Sequence, residues 1–172
     1  MNLCNNEKHL KIKVIVISGT PGTGKTNLAK QIAKKSDFKY LNIKKIIKKY
    51  NLHEYFDKKR KCLVVDTNKL NKILIDLIKN SKYNLVIDSH LSHFLPRKYV
   101  SLCIITKCNL KILRKRLIKR KYNKLKIKEN LESEIFNICL NEAKELGHNI
   151  LVIDTTKRIK NLNINSLISL SK

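Results

Sequence analysis

A glycine-rich segment after the first apolar run of the chain sets the strongest constraint on its fold. Residues 19–26 read G-T-P-G-T-G-K-T and match the pattern G-x-x-x-x-G-K-[ST] at every position. Residues 14–17 before them are apolar and β-branched, as in a buried parallel strand, and residues 27–34 place apolar side chains on one helical face. In this order of strand, turn and helix, backbone N–H groups cradle a polyphosphate. The segment predicts a nucleoside triphosphate site.

The residue types in this segment predict the chemistry of the site. Lys25 has the length to reach the β- and γ-phosphates, and the Thr26 hydroxyl suits Mg²⁺. Such a site is completed by an acid at the end of a neighbouring buried strand, and Asp88 closes the apolar residues 85–87. We expect Asp88 to hold Mg²⁺ directly or through water. Asp66 and Asp154 also end apolar runs, so a turn or capping role remains the alternative for each acid.

Two histidines follow Asp88. His90 is predicted to lie near the γ-phosphate, where it would position a nucleophile or relay a proton, the alternative being a packed or solvated side chain. The spacing of His90 and His93 would suit a metal pair on a helix. Residues 94–96 read F-L-P and argue against a regular helix there, so we expect no metal pair.

Basic residues dominate the charge of the chain. Lysine and arginine total 38 against 13 acidic residues, which gives a net charge of +25. This charge favours binding to nucleic acid, ribosomes or nucleotides, although a lysine bias of the whole proteome explains it equally well. Between residues 111 and 128 the basic side chains line a predicted amphipathic helix and turn. Because phosphoryl transfer needs a cation-bearing lid and guanidinium suits phosphate oxygens, Arg120 is the best lid candidate.

The bulk properties indicate one domain of 172 residues with its own core. No apolar stretch is long enough to cross a bilayer, so no membrane association is expected. The N-terminus lacks the apolar core of a signal peptide, and five cysteines are an odd number. These features predict reduced thiols and a cytoplasmic location.

Strand and helix patterns alternate along the chain. They predict an α/β fold of the P-loop NTPase type, with about five parallel strands, helices on both faces and the ligand site at the carboxyl ends of the strands. The predicted extended segments span residues 12–18, 38–41, 63–66, 84–88, 100–106 and 150–154. The predicted helices span residues 24–35, 43–50, 70–77, 110–120, 127–146 and 158–169.

Three segments together resemble the adenylate kinase isoenzyme six family of small archaeal and eukaryotic nucleotide kinase-like ATPases. Residues 88–90 form D-x-H, residues 120–123 read R-K-Y-N, and residues 130–136 read N-L-E-S-E-I-F. The similarity runs from about residue 14 to residue 157. The P-loop alone is shared by a vast superfamily, whereas R-x-Y-N followed by N-x-x-x-E-I-F is far more specific.

The resemblance implies a nucleoside monophosphate kinase-like fold and a set of site residues. It assigns residues 42–65 to the AMP-binding region and residues 119–129 to a short lid. The residues it assigns to ATP are Gly22, Gly24, Lys25, Thr26, Asn27, Arg120 and Lys157. The residues it assigns to AMP are Asn42, Lys48 and Asp66. It ties the D-x-H of Asp88 and His90 to activity. We therefore expect Lys25, Asp88, His90 and Arg120 to be catalytic, and Thr26 and Asp88 to hold Mg²⁺.

The resemblance also implies an activity. Members of this family phosphorylate AMP with ATP, hydrolyse ATP, and act on a small-subunit ribosomal protein and on pre-rRNA. Lys48 stands where the family usually has arginine, and lysine keeps the charge but loses the bidentate grip. We expect an adenylate kinase with broad monophosphate kinase and ATPase activity, linked to maturation of the small ribosomal subunit and its rRNA, as a monomer or weak oligomer. The alternative is an ATPase assembly factor that binds and releases ribosomal protein or pre-rRNA.

Overall fold

A parallel five-stranded sheet organises the chain in the computed structural model, which describes residues 12–157, 159 and 163–170. The strand order is β2-β5-β1-β6-β7, and each neighbouring pair is parallel. The strands of this sheet are β1 (Val14–Ser18), β2 (Lys39–Asn42), β5 (Leu85–Asp88), β6 (Leu102–Lys107) and β7 (Ile150–Asp154). The predicted parallel α/β sheet is therefore confirmed.

Helices cover both faces of this sheet. Among the described residues they are α1 (Lys25–Lys35), α2 (Ile43–Lys49), α3 (Thr67–Lys79), α4 (Leu110–Lys119), α5 (Lys124–Ile135), α6 (Ile138–Glu145) and α7 (Ile164–Leu170). None of the helices in this part of the chain has the length and apolar character that a membrane span requires.

The central strand β1 is buried on both of its faces, which explains its unbroken apolar sequence. Val14 and Val16 pack with Leu70 of α3 in one apolar cluster. Ile15 and Ile17 point to the other face and pack with α1 in a second cluster. Because each such side chain contributes about 1.5–3 kcal/mol on burial, the two clusters hold β1, and with it the start of the glycine-rich loop, firmly in place.

A hairpin stands apart from the main sheet. It consists of β3 (His53–Asp57) and β4 (Cys62–Val65), which pair antiparallel. The predicted extended segment 63–66 thus belongs to this hairpin and not to the parallel sheet. β3 was not predicted, because its residues show no clean alternation and the turn at residues 58–61 contains no glycine, asparagine or proline.

The prediction of one long helix over residues 127–146 is wrong, because the structure has two helices there. α5 ends at Ile135 and α6 begins at Ile138, and Asn137 between them has a φ of 54°. Asparagine adopts this left-handed conformation more readily than most residues. The apolar stripe continues across the junction, and no glycine or proline interrupts it, so the sequence pattern did not indicate the break.

The last helix of the structure also differs from the predicted one. The last helix begins at Ile164, and part of the predicted helix 158–169 lies outside the described residues. Gly147 ends α6 with a φ of 70°, as expected of a C-terminal glycine.

Candidate active site

The glycine-rich loop connects β1 to α1 at the carboxyl end of the sheet. Gly19 has a φ of 132°, and a Cβ there would lie 2.6 Å from the carbonyl oxygen of Thr106. Gly22 has a φ of 98°, and its Cβ would lie 2.9 Å from Leu113 Cδ1. Both the conformation and the close contacts require glycine. The loop is thus held between β6 on one side and α4 on the other.

Lys25 is buried inside this loop. Its Nζ donates to the carbonyl oxygens of Gly19 at 2.6 Å and Thr20 at 2.9 Å. Burial lowers the pKa of Lys25 from 10.5 to about 8, and the nearby Cys139 and Asp88 partly oppose this change. The ammonium group is therefore weakly solvated and lies where the loop would receive a phosphate.

The lowered pKa of Lys25 predicts an alkaline limit to nucleotide capture. We expect kcat/KM for ATP to fall above about pH 8, since the free protein loses the Lys25 charge there. In the ATP complex the phosphates favour the charged amine, so kcat should hold to higher pH. Both profiles are measured between about pH 6 and pH 10. A kcat/KM that stays flat through about pH 9 would contradict this role of Lys25.

Asp88 lies beside the loop, at the end of β5. Its Oδ2 accepts a hydrogen bond from Thr26 Oγ1 at 2.5 Å, and its Oδ1 accepts one from Tyr40 OH at 2.5 Å. β5 neighbours β1 in the sheet, which brings Asp88 and Thr26 together. A carboxylate and a hydroxyl oxygen are the hard donors that Mg²⁺ prefers, so Thr26 and Asp88 fit this ion.

The other two acids that end apolar runs have local roles. Asp66 caps α3 by accepting from the backbone N–H groups of Asn68 and Lys69. Asp154 Oδ1 accepts from the backbone N–H of Thr156 at 2.7 Å. The structure therefore distinguishes Asp88 from Asp66 and Asp154, which position in the sequence did not.

Tyr40 is a site residue that the sequence did not reveal. It lies on the edge strand β2, whose position next to β5 depends on the strand order. Burial and the hydrogen bond to Asp88 raise the pKa of Tyr40. The phenol therefore stays protonated and donates to Asp88, which fixes the orientation of that carboxylate.

His90 lies two residues beyond Asp88, where neighbouring protein crowds its ring on one side and solvent reaches it on the other. The protein around the ring of His90, and then the charge of Lys25, lower its pKa from 6.5 to about 4. His93, Lys126 and Lys44 act in the same direction. At neutral pH the imidazole is uncharged, so it has one nitrogen able to accept a proton.

A cavity of about 390 Å³ opens beside the loop. It is lined by Gly22, Gly24, Asn27, Leu28, Gln31, Arg116, Arg120, Thr155, Lys157 and Ile159. Five residues that the resemblance assigns to ATP thus lie around one cavity, whose size suits a small ligand.

Arg116 is a cavity residue that the sequence analysis did not single out, although it lies one helical turn before Arg120 on the basic face of α4. Its Nη2 donates to the carbonyl oxygens of Thr155 at 2.8 Å and Thr156 at 3.0 Å.

The residues assigned to AMP lie apart from this cavity. Asn42 caps α2, where its Oδ1 accepts from the backbone N–H of Lys45 at 3.2 Å, and Lys48 lies exposed in the last turn of α2. With Asp66 capping α3, two of the three residues have a structural role. AMP binding by Asn42, Lys48 and Asp66 stays a prediction.

The hairpin contacts the segment assigned to the lid. Arg60 Nε lies 3.0 Å and 3.1 Å from the two carboxylate oxygens of Glu129 on α5, and Arg60 Nη1 pairs with Asp57 at 2.9 Å. Asn123 Nδ2 donates to the carbonyl oxygen of Lys59 at 3.0 Å. These contacts join the region assigned to AMP to the lid segment.

Comparisons with known proteins identify the family of this chain. A family model described as an AAA domain matches residues 15–137. An adenylate kinase isoenzyme 6 homolog from Dictyostelium discoideum is 34% identical over 154 residues, 90% of this chain and 84% of that protein. One from Schizosaccharomyces pombe is 38% identical over 131 residues, 76% of this chain and 74% of that protein. The chain belongs to the adenylate kinase isoenzyme 6 family.

A solved structure supports the fold of this family member. Shikimate kinase from Bacteroides thetaiotaomicron superposes with a TM-score of 0.53 at 13% identity, over 91% of this chain and 94% of that one. At this identity the likeness concerns the fold alone. Membership of the isoenzyme 6 family, inferred from R-x-Y-N and N-x-x-x-E-I-F, is confirmed.

Proposed function

We propose that this protein is an adenylate kinase that transfers the γ-phosphoryl group of ATP to AMP and forms two ADP. The observation that carries the proposal is the contact between Thr26 and Asp88 beside the buried Lys25. It belongs to a chain whose relatives are named adenylate kinase isoenzyme 6 homologs.

In the proposed reaction an oxygen of the AMP phosphate attacks the γ-phosphorus of ATP in line. The new P–O bond forms as the bond from the γ-phosphorus to the β,γ-bridging oxygen breaks, and ADP leaves. Positioning and charge carry such reactions, so no covalent nucleophile is needed. Lys25 neutralises charge on the β- and γ-phosphates, and Arg120 adds a guanidinium from the end of α4.

Magnesium, when bound, neutralises charge on the phosphates. Thr26, in the first turn of α1, and Asp88, at the end of β5, would hold it. Tyr40 keeps the Asp88 carboxylate in one orientation through its 2.5 Å hydrogen bond. Gly22, Gly24 and Asn27 hold the phosphates, and Lys157, which also lines the cavity, lies near the adenine.

His90 is proposed to organise the acceptor side of the site. Its neutral ring, two residues beyond Asp88, has one N–H that donates to an oxygen of the AMP phosphate and one nitrogen that accepts a hydrogen bond from water. With water in the acceptor position the same arrangement would hydrolyse ATP, so the proposed kinase would also have ATPase activity.

His90→Ala tests this assignment. We expect ATP affinity to stay within about twofold of wild type while turnover falls by about tenfold, a barrier change of about 1.4 kcal/mol. The reason is that the ring acts on the acceptor and not on the phosphate loop. Steady-state rates and ATP titration measure the two effects. A wild-type rate in His90→Ala would make His90 a purely structural residue.

A second function is favoured by the +25 charge and by Lys48 in the AMP region. It is an ATPase that binds and releases a small-subunit ribosomal protein or pre-rRNA, with little AMP kinase activity. Both functions fit one cytoplasmic domain, a monomer or weak oligomer, with the AMP region at residues 42–65 and the lid at residues 119–129.

ADP and free phosphate, counted separately with and without AMP, decide between the two functions. A kinase forms two ADP for each AMP consumed and releases no phosphate. Phosphate release that ignores AMP and rises with RNA or ribosomal protein would overturn the kinase proposal in favour of the second one. CMP and UMP in place of AMP then measure how broad the acceptor choice is.

A further inference from the structure

A group of buried polar side chains lies beneath the loop and has no part in the steps described above. His93 is fully buried on the short 3-10 turn Ser92–Phe94. Its Nδ1 lies 2.6 Å from Ser18 Oγ, and its Nε2 lies 2.9 Å from Glu142 Oε2. Ser18 is the last residue of β1, directly before Gly19, and Glu142 is half-buried on α6. His93 thus bridges the phosphate loop and a surface helix.

The chemistry of the partners fixes the protonation of His93. A carboxylate only accepts, so Nε2–H donates to Glu142, and Nδ1 accepts from the Ser18 hydroxyl. Burial lowers the pKa of His93, and Glu142 partly offsets this, which agrees with a neutral ring. His148 Nε2 donates to the carbonyl oxygen of His93 at 2.7 Å and fixes the backbone of the turn.

A series of hydrogen-bonded groups connects Ser18 to Lys25. Thr106 Oγ1 lies 3.1 Å from the carbonyl oxygen of Ser18 and 2.6 Å from Thr23 Oγ1. Thr23 Oγ1 donates to the carbonyl oxygen of Thr20 at 2.8 Å, and the same oxygen accepts from Lys25 Nζ at 2.9 Å. Polar groups in such a network depend on one another, because an unpaired buried group is costly.

We propose that His93 is a positioning residue for the nucleotide, which holds Ser18 against Glu142 and thereby sets the phosphate loop around Lys25. The inference rests on the proposed function only in requiring that the loop binds ATP. Glu142 on the surface of α6 then acts on ATP binding without touching the nucleotide.

A titration with a fluorescent ATP analogue and Mg²⁺ tests this role, because it needs no acceptor. Ser18→Ala leaves His93 Nδ1 unpaired, and Glu142→Ala leaves Nε2–H unpaired. Each change should weaken binding by about tenfold. Both changes act through His93, so their effects should not add. The affinity of the double variant for the analogue should therefore be at most about twofold below that of the single variant with the lower affinity.

Conservative and control variants separate positioning from general damage. Glu142→Gln keeps an oxygen that accepts from His93 Nε2–H, so its affinity should return to within about twofold of wild type. Glu145→Ala, at an exposed position of the same helix, should bind as wild type does. Urea unfolding of every variant shows how far affinity and stability change independently.

Three results would overturn the proposal. They are losses that add in the double variant, a Glu142→Gln variant as weak as Glu142→Ala, and a folded Ser18→Ala that binds ATP normally. If Ser18→Ala does not fold, the Glu142 variants decide, because that site is half-buried.

A metal site is a further alternative for this cluster, because Cys139 also lies within 4.8 Å of the ligand atoms of His93 and Glu142. Zinc that stabilises the wild type but not Cys139→Ser would make the cluster a metal site instead.

Discussion

Lys25→Ala is expected to lower both AMP phosphorylation and ATP hydrolysis by about 1,000-fold. The ammonium group is the buried cation of the loop, and its Nζ joins the carbonyl oxygens of Gly19 and Thr20. Alanine removes the charge on the phosphates and the bonds that hold the loop in shape. Both effects act before the acceptor is chosen, so the two activities should fall together. Steady-state ADP and phosphate formation measure them.

Lys30→Ala is the matched control for this change. Lys30 is an exposed lysine on the same helix, α1, and is not among the residues that line the cavity. We expect its rates to stay within about twofold of wild type. Retained turnover in Lys25→Ala would mean that the P-loop is not the catalytic centre.

Asp88→Asn is expected to lower turnover by about 100-fold and to raise the Mg²⁺ concentration needed for half-maximal rate. Asparagine keeps the size of the side chain but removes its charge. Its single oxygen accepts from Thr26 or from Tyr40, whereas the carboxylate accepts from both. Rates measured against free Mg²⁺ separate the loss of metal affinity from the loss of maximal rate.

Two variants control for Asp88→Asn. Asp154→Asn changes another acid at the end of a parallel strand, but one whose carboxylate is hydrogen-bonded to Thr156, so its Mg²⁺ dependence should be unchanged. Tyr40→Phe keeps the carboxylate and loses one hydrogen bond, so we expect a loss of about 10-fold or less. An Asp88→Asn variant with a normal Mg²⁺ requirement would contradict the assignment of this residue to the metal.

Local sequence patterns predicted the loop and the sheet because both follow from short segments. The β-branched run before Gly19 gave β1, and the spacing of glycines and Lys25 gave the phosphate loop. The position of Asp88 at a strand end placed it at the carboxyl edge of the sheet. The choice of Asp88 over Asp66 and Asp154 required the strand order, which a single sequence does not display.

The residues that the sequence did not reveal act across long separations. Tyr40 meets Asp88 only because β2 pairs with β5. His93 contacts Ser18 and Glu142, which belong to two other elements, and no local sequence pattern predicts these contacts. Glu134 on α5 is likewise buried despite its charge, and its carboxylate is satisfied by the Cys108 N–H and by Lys107, contacts that the sequence alone does not display.

The fate of the γ-phosphoryl group tests the central proposal most directly. ATP labelled in the γ-phosphoryl group is mixed with AMP, Mg²⁺ and excess protein, and the reaction is stopped within one turnover. We expect the label to appear in ADP formed from AMP, with little in free phosphate, and we expect Lys25→Ala to form neither product. Label found in free phosphate at the same rate with or without AMP would contradict the kinase proposal and make the protein an ATPase.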